Sequence, residues 1–242
     1  MNTSSRLHNR ERFLSALTTK LGREPLTQPS PFTLTKARQH NVLSDQTEPQ
    51  QLDLFMTYIR ENLGVSAHRI QTQELAQCLT DECLTHYPCA QGLVLLSQDA
   101  RFADLSCAVQ PLQKSGFTTT FWQDDHDRAQ PIQLAEQAKV GIVFAEHALV
   151  ESGTIVLESS ALQGRSISLL PEHSIFIIRR SSLLPRITQF CEQLHQRVQQ
   201  GERLPSCVNF ISGPSSTADI ELIKVVGVHG PLSASYVILE DQ

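Results

Sequence analysis

The chain has 242 residues, 40% of them hydrophobic and 19% charged. A domain of this size buries roughly 70% of its unfolded surface, so it needs no disulfide or structural metal to support a core. The formal net charge of −5 leaves no basic excess to hold a phosphate backbone, which argues against nucleic-acid binding. No apolar run is long enough to span a bilayer. Residues 1–12 lack the apolar stretch of a secretory signal, so cytoplasmic residence is the default expectation.

Residues 6–21 read as an amphipathic helix, with Leu7, Leu14, Leu17 and Leu21 at helical spacing and Gly22 to end it. Residues 22–50 carry Pro25, Pro29, Pro31 and Pro49 among polar side chains and read as an irregular connection. Residues 1–50 are therefore set apart from a domain over 51–242, as an arm that packs on this domain or on another subunit. Leu52, Phe55, Ile59 and Leu63 mark a second helix, stopped by Gly64. A short strand over 67–70 follows, then a helix capped by Thr72 that runs toward Tyr87 with Leu75 and Leu79 inward. Residues 93–96 read as a buried strand, 102–114 as a helix, 117–122 as a strand and 124–127 as an acidic turn.

Further on, 134–138 is helical in pattern and 140–144 is an apolar strand. Residues 154–157, 166–170 and 175–178 read as three more strands, with turns at Gly164 and Pro171. Ser182 opens a helix whose stripe is Leu183, Ile187, Phe190, Leu194 and Val198, ended by Gly201. Strands at 208–211, 223–228 and 236–239 complete the set. Short apolar runs separated by amphipathic helices predict an α/β fold with a largely parallel sheet covered on both faces. The closely spaced strands after residue 150 suggest hairpins joined to that sheet.

Three glycine-bearing turns carry the candidate chemistry. In Gly213-Pro214-Ser215-Ser216-Thr217-Ala218-Asp219, glycine and proline shape a tight turn after a strand, and Ser216 with Asp219 fits a capping box that starts a short helix. Free N–H groups and hydroxyls at such a start hold an anion, at the carboxyl end of a strand, where α/β sheets place ligands. A capped turn without a ligand is the alternative. In Gly227-Val228-His229-Gly230-Pro231, the glycines permit close backbone approach. His229 is a general base or ligand-orienting donor there, or else a hydrogen-bonded histidine in a hairpin turn. In Glu151-Ser152-Gly153-Thr154, Glu151 is a nucleophile or general base if burial raises its pKa, with Glu146 and His147 near enough in sequence to pair with it. A loop carboxylate bonded to backbone N–H groups is the alternative. Arg165 either holds a carboxylate substrate bidentately or sits in a surface ion pair.

Cys78, Cys83 and Cys89 are spaced CxxxxC and CxxxxxC, which fits neither zinc ribbons nor cluster-binding loops, and the nearby His86 does not change that. With Cys107, Cys191 and Cys207 scattered through apolar segments, all six read as buried, inert thiols, and no metal site is expected. The acidic run at 124–127 lacks the interval and glycine of a calcium loop. There is no dinucleotide fingerprint, P-loop, nucleophile elbow or HExxH, so no cofactor is expected.

Glu-Ser-Gly-Thr at 151–154, Gly-Pro-Ser-x-Thr-Ala-Asp-Ile-Glu at 213–221 and Gly-Val-His-Gly-Pro at 227–231 occur in this order. Together they resemble the lactate utilization protein C family, with its LUD domain. The resemblance is firm over about residues 135–240, and before residue 130 it is limited to Arg10, Leu14 and Gly22-Arg23 around the first helix. It implies a three-layer α/β/α sandwich with a mostly parallel central sheet, like that of the sugar-phosphate isomerase and CoA-transferase superfamily, preceded by the helical arm. It also implies a role in oxidising L-lactate to pyruvate alongside two iron–sulfur partner proteins, whose cluster-binding cysteines this chain lacks. Transferases of the superfamily use a glutamate nucleophile in a comparable turn. Glu151 is the match, and Gly153 or Gly230 N–H groups would supply the oxyanion donors. On this reading Gly153, Thr154, Arg165, Gly213, Ser215, Ser216, Thr217, Asp219 and Gly230 bind a small carboxylate or phosphate beside Glu151 and His229. The chain is then either an accessory subunit of an oxidoreductase complex, without a redox cofactor of its own, or an independent acyl- or CoA-transferring enzyme or small-anion-binding module.

Overall fold

A computed structural model of the chain describes residues 9–24, 38–101, 109–123, 129–218 and 224–241. They fall into two units, Met1–Ala37 and Arg38–Gln242. In the first, α1 (Arg10–Lys20) ends ahead of Gly22, which turns the chain at φ 63°, and α1 has no buried residue. The proline-bearing stretch at 25–37 lies outside the described residues, as do 102–108, the acidic run at 124–127, and Asp219.

The second unit is built on a six-stranded sheet whose pairings are all parallel. Its order is β1 (Ser66–Gln71), β12 (Ser233–Glu240), β7 (His173–Arg179), β4 (Ala138–Phe144), β2 (Leu93–Leu96), β3 (Thr118–Phe121). Buried on both faces, its inner strands are near-continuous apolar runs, and alternate side chains divide between two cores. Tyr236, Ile238, Phe176, Ile178, Val143 and Leu95 join one core with α2 (Glu48–Glu61), α5 (Ala129–Gln137) and the single turn α6 (Ser166–Leu169). Val237, Leu239, Ile175, Ile177, Ile142 and Val94 join the other with α3 (Leu75–His86) and α4 (Val109–Lys114). α2 presents Leu52, Phe55, Met56 and Ile59 as one stripe, and each such side chain contributes roughly 1.5–3 kcal/mol on burial. Thr47 and Gln50 form its capping box, and Pro49 falls in its first turn, where a missing N–H is harmless. The helix therefore starts inside the stretch whose proline suggests a loop.

The chain passes from β2 outward to β3 through α4, then back past β2 to β4 through α5 on the opposite face. Right-handed crossovers in opposite directions require that placement. The winding direction thus reverses between β2 and β4. A second, four-stranded sheet has the order β8 (Leu183–Leu184), β5 (His147–Leu149), β6 (Thr154–Glu158), β9 (Val208–Ile211). Ala148, Ile155 and Leu157 join the first core, while Leu149 and Val156 pack on Phe190 of α7 (Ile187–Gln199). β10 (Ser216–Ala218) and β11 (Lys224–Val226) form a separate antiparallel ribbon.

Several local expectations change. The hairpins after residue 150 do not join the central sheet, because β12, β7, β4 and β2 are already paired on both edges. Residues 166–170 are a helical turn rather than a strand for the same reason, as no free edge lies beside them. The turn instead brings the Ile167 carbonyl down onto Gly141, where a Cβ would sit 1.9 Å from that oxygen. The helix expected from Ser182 begins at Ile187. Pro185 offers no N–H and holds Leu184 extended, so Leu183 and Leu184 pair with Ala148 and Leu149 of β5. Of the expected stripe, Phe190 is buried and Leu194 partly so, while Ile187 and Val198 are exposed. Thr72 lies in a 3₁₀ turn, Thr72–Glu74, capped by Gln71. Among the thiols, Cys83 is buried but Cys89 and Cys191 are exposed. Among the described residues no helix is long and apolar enough to cross a membrane.

Replacing Gly141 by alanine forces a backbone shift in either β4 or α6. Gly141→Ala is expected to lose more than about 3 kcal/mol of stability in urea denaturation; a loss within about 0.5 kcal/mol would mean that the close approach does not hold in solution.

Candidate functional site

Two of the three glycine turns meet at one buried hydroxyl. Tyr236, in the middle of β12, accepts a hydrogen bond from the Gly213 N–H at 3.0 Å and donates to the Gly153 carbonyl at 3.2 Å. Burial raises its phenol well above the ordinary range, so it stays protonated as a donor. Gly153 adopts φ 62°, and a Cβ there would fall 2.8 Å from Ile59 and Leu63 of the α2 region. Gly213 adopts φ 71°. Thr154 is buried and its hydroxyl joins Ser152 at 2.6 Å and Ser212 at 2.8 Å, which ties the first turn to the second. The third turn closes on the second through backbone bonds. The Ser215 N–H donates to the Pro231 carbonyl, and the Gly227 N–H donates to the Ser215 carbonyl.

A cleft of about 320 Å³ lies where the second and third turns meet, and Gly213, Ser215, Ser216, His229 and Gly230 line it. Phe176, Phe210 and Ala234 give it an apolar wall, and Ser168, Ser174 and Ser212 add hydroxyls. Thr217 is exposed on β10. Where a helix start is expected at Ser216, Ser216–Ala218 is instead a strand paired with β11. The Gly227–Pro231 segment is not a hairpin turn; it carries the chain from the ribbon into the central sheet. The cleft follows the carboxyl end of β9, but β9 belongs to the small sheet. Relative to the central sheet, it opens beside the amino ends of β7 and β12, at Ser174 and Ala234.

Glu151 and Arg165 stand apart from the cleft's lining. The Glu151 carboxylate pairs with the Arg186 guanidinium at 2.9 Å, and its side chain is 42% exposed. Glu146 and His147 do not pair with it: Glu146 binds Arg101, and His147 Nδ1 lies 3.2 Å from the Ser182 carbonyl. Arg165 is exposed, makes no ion pair among the described residues, and lines a neighbouring cavity of about 600 Å³ with Trp122, Ser159 and Ser160.

A second hollow, of about 390 Å³, escapes sequence reasoning. It lies outside the carboxyl ends of β2 and β4, where the winding reverses and open α/β sheets form ligand crevices. Asp99, Glu146, Glu158, Gln163, Arg197 and Arg203 line it. Behind them, the Arg101 guanidinium binds Asp99 and Glu146 and the Ala145 carbonyl, and lies 4.8 Å over the Phe144 ring. Burial alone would raise the Asp99 carboxyl, but the hydrogen bonds and charge of Arg101 outweigh it and hold Asp99 below its ordinary value. Arg197 is paired with Glu158 and Glu202, whereas Arg203 makes no ion pair among the described residues. The signal in the sequence is the Asp-Ala-Arg run at 99–101, just after an apolar strand, but its partner Glu146 is set only by the sheet order.

The sheet, its crossovers and its clefts define an α/β protein of the doubly wound parallel class, with a second sheet laid on one face. The LUD domain family signature matches residues 52–239, and the chain belongs to that family. It is 42% identical over 239 residues to the uncharacterized protein YkgG of Escherichia coli, covering 97% of this chain and all of that one. It is 38% identical to lactate utilization protein C of Halalkalibacterium halodurans, covering 98% of this chain and all of the relative. Against lactate utilization protein C of Bacillus subtilis the identity is 35%, over 99% of this chain and all of the relative. A crystal structure of a DUF162 family protein from Deinococcus radiodurans shares the fold, with a TM-score of 0.54 at 17% identity, covering 80% of this chain and 98% of that one.

Tyr236→Phe leaves the buried Gly213 N–H and the Gly153 carbonyl without their shared partner and is expected to cost about 1–3 kcal/mol in urea denaturation, with the fold retained by circular dichroism. Arg101→Gln is expected to cost about 2 kcal/mol at neutral pH. Because Asp99 is depressed in the folded state, its share of that difference is present above pH ~4 and shrinks as pH falls through its folded value. A wild-type-minus-variant difference that is flat down to pH ~2 would contradict this assignment.

Proposed function

We propose that this protein is a component of a cytoplasmic L-lactate utilization system that oxidises L-lactate to pyruvate together with two iron–sulfur partner proteins. The observation that carries the reading is its full-length likeness to lactate utilization protein C of two bacteria. In this reading the chain supplies a binding surface rather than the redox centre. The cleft between the second and third turns takes a small carboxylate: the Ser215 and Ser216 hydroxyls donate to the anion, and His229 orients or deprotonates the adjacent hydroxyl. The apolar wall of Phe176 and Ala234 suits the methyl group of such an acid. Glu151, held by Arg186, has no part in it, so the geometry does not favour a glutamyl-transfer reaction. The alternative favoured by the cleft is a carboxylate-binding module that acts without turnover.

Purified protein mixed with the two iron–sulfur partners is expected to raise lactate-dependent electron transfer, and equal rates with and without this chain would remove the proposed role. His229→Ala is expected to lower the assisted rate roughly 10–100-fold. If the wild type assists and His229→Ala assists equally, the subunit role stands and the cleft assignment fails. Calorimetric titration with lactate, pyruvate and phosphate distinguishes the binding module, which gives heat in the absence of partners.

A further inference from the structure

On the face of the central sheet opposite the cleft, a polar group interrupts an otherwise apolar core. Glu82 and His86 stand one turn apart on α3, and His173 is the first residue of β7. His173 is fully buried and Glu82 is 4% exposed. β12 lies alongside: Ser233 is in register with His173, and Ser235 with Ser66 of β1. The Ser235 hydroxyl donates to Glu82 Oε1, and His68 Nε2 lies 2.6 Å from Glu82 Oε2. His86 Nε2 is 3.4 Å from Glu82 Oε1, and the His86 and His173 rings stack with centroids 3.9 Å apart. His173 Nδ1 is 2.6 Å from the Ser233 hydroxyl, and its Nε2 is 3.0 Å from the Ser235 hydroxyl.

Two features of this group call for a cation. The first is charge. Glu82 is buried inside the fold, and its two carboxylate oxygens meet the Ser235 hydroxyl and the His68 imidazole. Among the described residues no lysine or arginine pairs with it; its partners are histidines and hydroxyls. A buried carboxylate without a permanent counter-charge is expensive. The second is geometry. One ligand atom each from Glu82, His86 and His173 lies within 4.8 Å of the others. Zinc bonds of about 2.0–2.1 Å at tetrahedral angles set ligand atoms roughly 3.4 Å apart, as Glu82 and His86 already are. With Ser235 donating to Glu82, His173 Nε2–H donates to Ser235 in the metal-free protein; a metal ion would replace that proton at Nε2 and leave the N–H on Nδ1, facing Ser233. That is the outer-shell bond by which metal-binding histidines are oriented.

We propose that Glu82, His86 and His173 bind one divalent transition-metal ion of zinc's class, with His68, Ser233 and Ser235 orienting the ligands. Two nitrogens and one carboxylate oxygen suit zinc, cobalt and nickel better than magnesium or calcium. Three protein ligands leave a fourth position for water or a small carboxylate. The cysteine spacing near His86 does not enter the site; the third ligand comes from β7, far along the chain.

The test uses the full chain, stripped with a chelator and titrated calorimetrically with zinc chloride, then with magnesium chloride. Zinc is expected to bind one ion per chain at micromolar affinity or tighter, and magnesium is not. His86→Ala, at a partly exposed helical position that tolerates alanine, is expected to weaken zinc binding by more than ~100-fold with the fold retained by circular dichroism. Cys89→Ala and Cys191→Ala are expected to bind as the wild type does. The cobalt form is expected to show visible d–d bands without an intense thiolate charge-transfer band. Absence of zinc uptake by the wild type, unchanged affinity in His86→Ala, or loss of binding in a cysteine variant would each overturn the proposal.

Discussion

The strand from Ser233 to Glu240 holds the larger unit together. It lies inside the sheet with a parallel neighbour on each edge, and its residues alternate between the two cores. Tyr236 and Ile238 serve one core while Val237 and Leu239 serve the other. The same strand fastens everything polar nearby. The Tyr236 hydroxyl joins the Gly153 and Gly213 turns, and Ser233 and Ser235 hold the Glu82–His173 cluster. Central position and period-two geometry together make one strand the partner of both faces.

Around that strand, missing side chains matter as much as present ones. At Gly141 the absent Cβ lets the Ile167 carbonyl settle on β4. At Gly153 it lets the first turn close against Ile59 and Leu63. Close-packed interiors do not absorb an added methyl at such distances without moving backbone. The second sheet depends on that fit, because Ala148, Ile155 and Leu157 fill the same core as α2. The apolar wall of the cleft, Phe176 and Ala234, belongs to that same core.

Much of this was legible in the residue pattern. Apolar runs at 93–96, 140–144 and 236–239 and the Leu52–Ile59 stripe carry their periodicity openly, and all are found where the spacing puts them. Two of the errors have different origins. Residues 166–170 alternate like a strand and 183–187 read like a helix start, but a strand needs a free edge, and Pro185 favours an extended Leu184, which pairs with β5 before the helix begins. The glycine turns were visible as motifs. That the second and third share a cleft while the Glu151 carboxylate turns to Arg186 depends on partners far away in sequence.

The sequence by itself determined the class of the protein, through the alternation of apolar strands with amphipathic helices, and its kinship, through three ordered glycine motifs. Both are local properties, written in spacings of two to nine residues. Only the tertiary structure decided which polar groups meet. Strand order β1-β12-β7-β4-β2-β3 brings His173 beside His86, sets Asp99 and Arg101 against Glu146, and separates Glu151 from His229. Strand order follows from which edges remain free and which way each crossover turns, and those are properties of the whole sheet rather than of any one segment.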